Sequence, residues 1–159
     1  MIEVLELLEK DSRMTIPEIA VRLSKSEEEI IRIISGYEQD GVIVGYTAMV
    51  NWEKTQKEKV TALIEVKITP QRHEGFDRAA ERIYKFPEVK SCYLMSGGFD
   101  LTVIIEGKTL KEVAMFVAQK LSPLESVLST STHFVLKKYK EEGQIFYKNE
   151  IDGREAIVL

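Results

Sequence analysis

The stretch VKSCYLMSGGFDLTVIIE, residues 89–106, decides the fold of this chain. Two apolar segments, 89–96 and 101–106, lie on either side of the pair Gly97-Gly98. Glycine accepts the positive φ angles of a tight turn, so the stretch predicts two antiparallel strands joined by a hairpin. The elements before and after this hairpin then determine which kind of sheet it belongs to.

Upstream of the hairpin, apolar and polar residues alternate over 60–68 and predict a strand that ends before Pro70. A helix is predicted from Glu74-Gly75, with Phe76, Ala79, Ala80 and Ile83 facing inward. Downstream, Thr109 can cap a helix whose inward residues are Leu110, Val113, Ala114, Val117 and Leu121. Residues 127–138 predict a last long strand. The order βαββαβ predicts an α+β, ferredoxin-like domain over 60–140, with both helices on one face of an antiparallel sheet.

Such a sheet has one face that no helix covers. Some residues of that face are apolar, and a second copy of the chain is the natural cover for them. The pattern therefore predicts a homodimer.

The N-terminal residues 1–40 predict three short helices. Apolar residues recur at helical spacing over 2–10, and two capping boxes follow, at Thr15–Glu18 and at Ser26–Glu29. Asp40-Gly41 closes the third helix. The turn between the second and third helices is as short as in a helix-turn-helix.

The segment VIVGYTAMV, 42–50, is β-branched and aromatic and predicts a strand or wing that completes a winged helix-turn-helix domain over 1–50. Residues 51–59, NWEKTQKEK, predict a polar linker. The tail 141–159 holds Asp152-Gly153 and ends in AIVL, which is compatible with a hairpin or with a partner-binding tail.

Composition excludes several classes of protein. No apolar run in the 159 residues approaches the roughly 20 needed to cross a bilayer, and the acidic, amphipathic start is not a secretory signal, so we expect a cytoplasmic protein with no membrane partner. One cysteine and two distant histidines, His73 and His133, argue against a metal site. We expect no cofactor. The absence of a phosphate-binding loop or a nucleophile–base pair argues against an enzyme, and Cys92 is expected to be a packed strand residue.

Four stretches in order along residues 1–140 carry a resemblance to the Lrp/AsnC (feast/famine) family of prokaryotic transcriptional regulators: Asp11-Ser12-Arg13 followed by IPEIAVRL, YEQDGVI followed by Gly45-Tyr46, SGGFDL at 96–101, and TST with VL at 130–136. The resemblance implies a DNA-binding unit joined to a βαββαβ unit that dimerises, assembles further and binds an amino acid or similar metabolite between subunits. It implies a homodimer or a ring of dimers such as an octamer. Family members usually carry a short segment before the first helix, so we expect either a short first helix or further residues ahead of Met1.

In a helix-turn-helix the second helix enters the major groove, so the residues expected to face double-stranded DNA are Lys25, Ser26, Glu27, Glu28 and Arg32. The family pattern S-x-x-T-V-x-R-R-I-x-R-L-E is matched at Arg32, whereas Glu29, Ile33 and Gly36 replace its threonine and two further arginines. Residues 1–52 hold ten acidic and five basic side chains, a net charge of −5, which opposes binding to a polyanion.

The turn formed by Gly97, Gly98, Phe99 and Asp100 is the predicted effector site. Exposed backbone N–H groups of the glycines can hold a carboxylate, and Asp100 can pair with an ammonium group. A purely conformational interpretation stays open, in which the glycines shape the turn and Asp100 satisfies local backbone donors.

Thr130, Thr132 and His133 on the last strand are further candidates for the effector site. Alternation places two sets on opposite faces: Leu128, Thr130, Thr132, Phe134 and Leu136 on one, and Val127, Ser129, Ser131, His133 and Val135 on the other. The two threonines and the histidine therefore meet in one pocket only at a sheet edge or between subunits.

The sequence thus predicts a DNA-binding regulator whose assembly or DNA affinity responds to an amino acid or similar metabolite. The alternative is a ligand-binding oligomeric sensor or interaction module with weak or no DNA binding.

Overall fold

The computed structural model describes residues 1–69 and 75–147, and the chain divides into two units, Met1–Val50 and Asn51–Leu159. The first unit holds three helices, α1 (Ile2–Lys10), α2 (Ile16–Leu23) and α3 (Glu27–Gln39). Their apolar faces meet in a core that buries Val4, Leu8, Ile19, Ala20 and Ile30. The three helices predicted from periodicity and capping are confirmed.

The turn that joins α2 to α3 is set by its caps. Thr15 and Glu18 form the reciprocal capping box predicted at the start of α2. Ser24 ends that helix in the left-handed region, with a φ of 52°, and its short side chain allows the chain to reverse there. Ser26 then caps α3, two residues later. Such a tight connection fixes how α2 and α3 pack, as a helix-turn-helix requires.

The end of α3 is a two-bond cap built on Gly41. Gly41 adopts a φ of +68°, which lets the Val42 N–H donate to the Tyr37 carbonyl at 2.8 Å and the Gly41 N–H to the Glu38 carbonyl at 3.2 Å. This is the Schellman pattern. The strand predicted over 42–50 is wrong: these residues form no strand in the structure. A strand needs a neighbouring strand to bond to, and the first unit, which the structure describes in full, contains only helices.

Residues 51–59, predicted as a linker, begin the second unit and include a short 3-10 turn, Trp52–Lys54. The Asn51 side chain accepts from the Glu53 N–H at 3.2 Å and donates to the Phe146 carbonyl at 3.2 Å. The Lys57 ammonium lies 4.4 Å from the Trp52 ring centroid. The bond from Asn51 to Phe146 ties the start of this segment to the rest of the second unit.

The second unit contains a four-stranded sheet, with β1 (Val60–Ile68), β2 (Val89–Leu94), β3 (Leu101–Gly107) and β4 (Val127–Phe134) in the spatial order β2-β3-β1-β4. All neighbouring pairs are antiparallel. The helices α4 (Asp77–Tyr84) and α5 (Leu110–Phe116) connect β1 to β2 and β3 to β4. The predicted βαββαβ order and ferredoxin-like fold are confirmed. The expected start of α4 at Glu74 lies outside the described residues.

The core of this unit lies between the sheet and its helices. Alternate residues of β1 are buried there, at Ala62, Ile64, Val66 and Ile68, because side chains of a strand point to opposite faces in turn. Ile83 of α4 and Val113 and Phe116 of α5 cover them.

The inward face predicted for α5 is partly wrong. Leu110 is 58% exposed and Ala114 is also exposed, while Phe116 is buried in their place. After Phe116 the helix continues as a π-type turn, Val117–Leu121, in which the Ser122 N–H donates to the Val117 carbonyl at 2.8 Å. This wider turn rotates Leu121 back toward the stripe of Val113 and Phe116. A uniform α-helical period would align Leu121 with Leu110 and Ala114 instead.

β4 differs from its prediction at both ends. It stops at Phe134 rather than 138, because its neighbour β1 begins at Val60 and the last bond runs from the Val135 N–H to the Thr61 carbonyl at 2.9 Å. At its start a bulge places Val127, not Leu128, opposite Ile68, so the predicted alternation holds only from Ser129 onward.

After β4 a small hairpin pairs β5 (Lys140–Glu141) with β6 (Gln144–Ile145). Glu142 and Gly143 form its turn, with φ values of 44° and 76°. The rest of the predicted tail, including Asp152-Gly153, lies outside the described residues.

Candidate DNA-reading surface and effector site

The N-terminal half of α3 presents the residues predicted to face DNA. Ser26 caps the helix by accepting from the Glu29 N–H at 3.2 Å. The reciprocal half of the predicted capping box is absent, because the Glu29 carboxylate pairs with the Lys25 ammonium instead. Lys25 is thus half-buried, and its charge is partly compensated inside the first unit.

Glu27, Glu28 and Arg32 are exposed on this helix. Hydrogen bonds from its own backbone N–H and from Ser26 hold the pKa of Glu28 below its usual value, so this carboxylate is charged at neutral pH. Among the five residues predicted to face DNA, the exposed charges are therefore two carboxylates and one cation, Arg32. This balance is acidic for a helix expected to read DNA.

Sequence reasoning missed one residue of this surface. Ile31 is 51% exposed, four residues after Glu27 and three after Glu28, which puts all three on one helix face. The run IIRII conceals it, because its neighbour Ile30 is fully buried. Counting the helical period across that run would have separated the two isoleucines.

The turn from β2 to β3 holds the predicted effector residues. It is closed by the Met95 N–H, which donates to the Asp100 carbonyl at 2.8 Å. Gly97 has a φ of +138°, which explains the need for glycine there. Gly97 and Gly98 are exposed, and no described residue accepts a hydrogen bond from either N–H. Phe99 beside them is half-buried.

Asp100 links this turn to the end of β1. Its Oδ2 accepts from the Ile68 N–H at 2.7 Å, and its own N–H donates to the Val66 carbonyl at 3.0 Å. The carboxylate thus extends the hydrogen bonding between β1 and β3, at the point where the register of β1 with β4 shifts. Asp100 therefore satisfies a backbone donor, which is the role that the conformational interpretation gave it. Only one of its two oxygens is used in this bond.

The three predicted residues of β4 divide between two faces. Thr130 and Thr132 lie opposite Val66 and Ile64, on the face toward the helices. His133 lies on the other face, 3.5 Å from Glu65 and 3.3 Å from the Ser131 hydroxyl. Within one subunit the threonines and His133 are therefore not brought together.

Thr130 shares one end of the sheet with the Gly97–Asp100 turn. Both flank the end of β1, Thr130 opposite Val66 on β4 and Asp100 beyond Leu101 on β3. One strand separates them, a distance of about 10 Å. Thr132 lies further along the strand.

Cys92 faces the core of the second unit, half-buried, and burial raises the pKa of its thiol. This is the packed residue that the sequence predicted. Within residues 1–69 and 75–147 no three His, Cys, Asp or Glu side chains group as a metal site requires.

Comparison with known proteins now identifies the family. Residues 61–145 match the model of the Lrp/AsnC ligand-binding domain. Over 156 residues, 98% of this chain and 94% of the relative, the sequence is 49% identical to an uncharacterized HTH-type transcriptional regulator, YugG, of Bacillus subtilis. The chain belongs to the Lrp/AsnC family of transcriptional regulators. The resemblance found in the sequence is confirmed, and the protein is a regulator rather than an enzyme.

Solved structures of Lrp/AsnC regulators share this fold. The chain resembles Escherichia coli AsnC with a TM-score of 0.67 at 20% identity, covering 87% of this chain and 91% of that one. It resembles a Neisseria meningitidis regulator solved as an L-Met complex with a TM-score of 0.68 at 26% identity, covering 88% and 90%. None of the helices described is long and apolar enough to cross a membrane.

Proposed function

We propose that this Lrp/AsnC regulator binds double-stranded DNA through α3 and changes its DNA affinity or assembly when an amino acid binds at the Gly97–Asp100 turn. The observation that carries the proposal is the presence, in one chain, of a tight helix-turn-helix and the family's ligand-binding domain. A regulator needs both a reader and a sensor, and each of the two units supplies one.

The DNA contacts are assigned to Lys25, Ser26, Glu27, Glu28 and Arg32. Arg32 supplies a phosphate or guanine contact, and the carboxylates can accept from cytosine amino groups. Ile31 adds an apolar surface suited to a thymine methyl group. The experiment is titration of the protein into a fluorescent promoter fragment at several salt concentrations. A steep fall of log K with log salt supports phosphate contacts, and no binding at low salt overturns them.

The effector contacts are assigned to the turn. The N–H groups of Gly97 and Gly98 suit an α-carboxylate, and the second oxygen of Asp100 suits the ammonium group of the same ligand. The L-Met complex of the Neisseria relative supports an amino acid as the ligand class. Titration calorimetry with the standard amino acids tests this assignment. Binding of none of them overturns it.

Assembly completes the site in this proposal. The face of the sheet away from the helices carries the apolar residues Leu63 and Ile104, which lie opposite each other, and Tyr93, which lies opposite Thr102. A second copy would cover them, and Thr130, Thr132 or His133 of one subunit could then meet the turn of another. Light scattering at micromolar concentration tests the homodimer and any octameric ring. A stable monomer would overturn this part.

Binding of the amino acid would then alter subunit packing and the separation of two α3 helices. Coupling of this kind typically amounts to about 1–3 kcal/mol, or roughly 5- to 150-fold in DNA affinity. Comparison of DNA titrations with and without a saturating amino acid measures it.

A second candidate function is a ligand-binding oligomer with weak or no DNA affinity. The net charge of −5 over residues 1–52 and the engagement of Lys25 by Glu29 favour it. The two candidates differ in one measurement, since only the sensor without DNA affinity binds an amino acid and assembles while leaving DNA free at low salt.

A further inference from the structure

One large apolar side chain lies on the exposed face of α3. Ile31 is 51% exposed, whereas its neighbour Ile30 is fully buried in the core of the first unit. The structure describes the whole of α3, and the other apolar side chains of this helix are buried or half-buried. Ile31 is the fifth residue of α3, and the N-terminal residues of a recognition helix are those that contact base edges.

The polar side chains at the start of α3 leave few donors for the bases. The Lys25 ammonium is paired with the Glu29 carboxylate, and the Ser26 hydroxyl accepts from the Glu29 N–H at 3.2 Å. Among the five residues assigned to DNA, Arg32 is the remaining cation, and it is exposed. Arg and Lys make the commonest specific contact, to the acceptors of guanine. A helix with one such side chain therefore depends on other contacts to select its sequence.

The carboxylates of Glu27 and Glu28 narrow the choice of base edges further. Both side chains are exposed on the same helix face as Ile31. A carboxylate accepts hydrogen bonds and repels other acceptors, so it suits the amino group of cytosine and opposes the O6 and N7 atoms of guanine. An exposed apolar side chain suits the apolar group that the major groove offers, the C5-methyl of thymine.

We propose that Ile31 is the residue of α3 that determines its sequence specificity, by packing against the C5-methyl group of a thymine in the major groove. Ile31 can act in this way only if α3 binds DNA, so this role rests on the function proposed above and adds the base that the helix selects. Ile31 lies four residues after Glu27, about 6 Å further along the helix, and base pairs are stacked about 3.4 Å apart. The selected thymine therefore lies within about two base pairs of a cytosine bound by Glu27.

Selection from a duplex library identifies the DNA that the full chain binds without an operator known in advance. The library carries about 20 random base pairs, enough for two half-sites one helical turn apart. We expect the selected duplexes to share a thymine. Each shared thymine is then replaced by uracil, which lacks only the C5-methyl group. Burial of one methyl group corresponds to about a fourfold change in affinity, so we expect uracil to weaken binding about fourfold per half-site.

Ile31→Ala removes the proposed contact at an exposed position, where alanine is compatible with the helix. Ile2→Ala is the matched control, because Ile2 is likewise an exposed isoleucine, on α1, and is not assigned to DNA. We expect I31A to bind the thymine and uracil duplexes equally, and I2A to keep the preference for thymine. Circular dichroism melts of both variants verify that the fold is retained.

The results distinguish the role of Ile31 from the proposed binding of DNA. Selection that enriches no duplex, together with no binding at low salt, overturns both. DNA binding without a shared thymine, equal affinity for thymine and uracil, or a thymine preference that I31A retains in full each overturns only the role of Ile31. Loss of assembly in I31A, seen by light scattering, with an unchanged preference for thymine places Ile31 in a contact between copies of the chain and overturns that role as well.

Discussion

Replacement of Asp100 separates its structural role from its proposed role in effector binding. Its Oδ2 accepts from the N–H of Ile68, a residue only 3% exposed. The Asp100→Ala variant leaves that N–H without a partner in a place that water reaches poorly. An unsatisfied buried donor costs about 1–3 kcal/mol, so we expect D100A to lower the free energy of unfolding by that amount.

Asp100→Asn provides the contrast. Its amide oxygen can still accept from Ile68, so the loss is confined to the charged part of the bond, about 1 kcal/mol or less. The charge that would pair with an effector ammonium is gone in both variants. We therefore expect D100A to lose stability and amino-acid response together, and D100N to lose the response while keeping most of the stability.

The assays are urea unfolding at fixed protein concentration, because oligomers unfold in a concentration-dependent way, and amino-acid titration by calorimetry. Asp11→Ala is the control, because Asp11 also accepts from a backbone N–H, that of Arg13 at 3.0 Å, but in an exposed position where water can replace it. Equal stability of D100A and wild type would refute the account of the Ile68 bond. An unchanged amino-acid response in D100N would refute the effector assignment.

Three further predictions concern the Gly97–Asp100 turn, the ion pair of Glu88 with Lys120, and α3. Gly97→Ala forces an L-residue to a φ of +138° and should destabilise the fold by about 1–3 kcal/mol, whereas Gly98→Ala should cost little; thermal melts compare them, and equal losses would contradict the backbone argument. The hydrogen bond from Lys120 lowers the pKa of Glu88 in the folded state, so this carboxylate stabilises the fold at pH values above its usual pKa of 4.5. That stabilisation is lost as the pH falls through the lower pKa of the folded state, and acid-unfolding curves should show the loss in wild type and not in Lys120→Met. Arg32→Ala should reduce the salt slope of DNA binding by about 1 per DNA-contacting subunit, and an unchanged slope would remove Arg32 from the phosphate contacts.

Local sequence signals predicted most of the secondary structure because those signals act within a few residues. The capping box at Thr15–Glu18 and the closure of α3 at Gly41 depend on neighbours in the chain, and both are present. The alternation over 60–68 identifies β1 because its buried face is continuous. The order of these elements was sufficient to predict the ferredoxin-like sheet, whereas the family was identified from four short motifs along residues 1–140.

The sequence could not predict features that depend on distant partners. Residues 42–50 have the composition of a strand and form none, because strand formation requires a second backbone that the first unit does not supply. The π-type turn after Phe116 reorients Leu121, and no local signal distinguishes it from a continued α-helix.

The sequence by itself determined most of the helices and strands and their order, through periodicity, caps and glycine. Tertiary structure alone decided what two acidic groups do, since Asp100 bonds to Ile68 and Glu88 to Lys120, each across 32 residues of chain. A hydrogen bond depends on distance and direction in space, and separation along the sequence specifies neither until the sheet has placed its strands side by side.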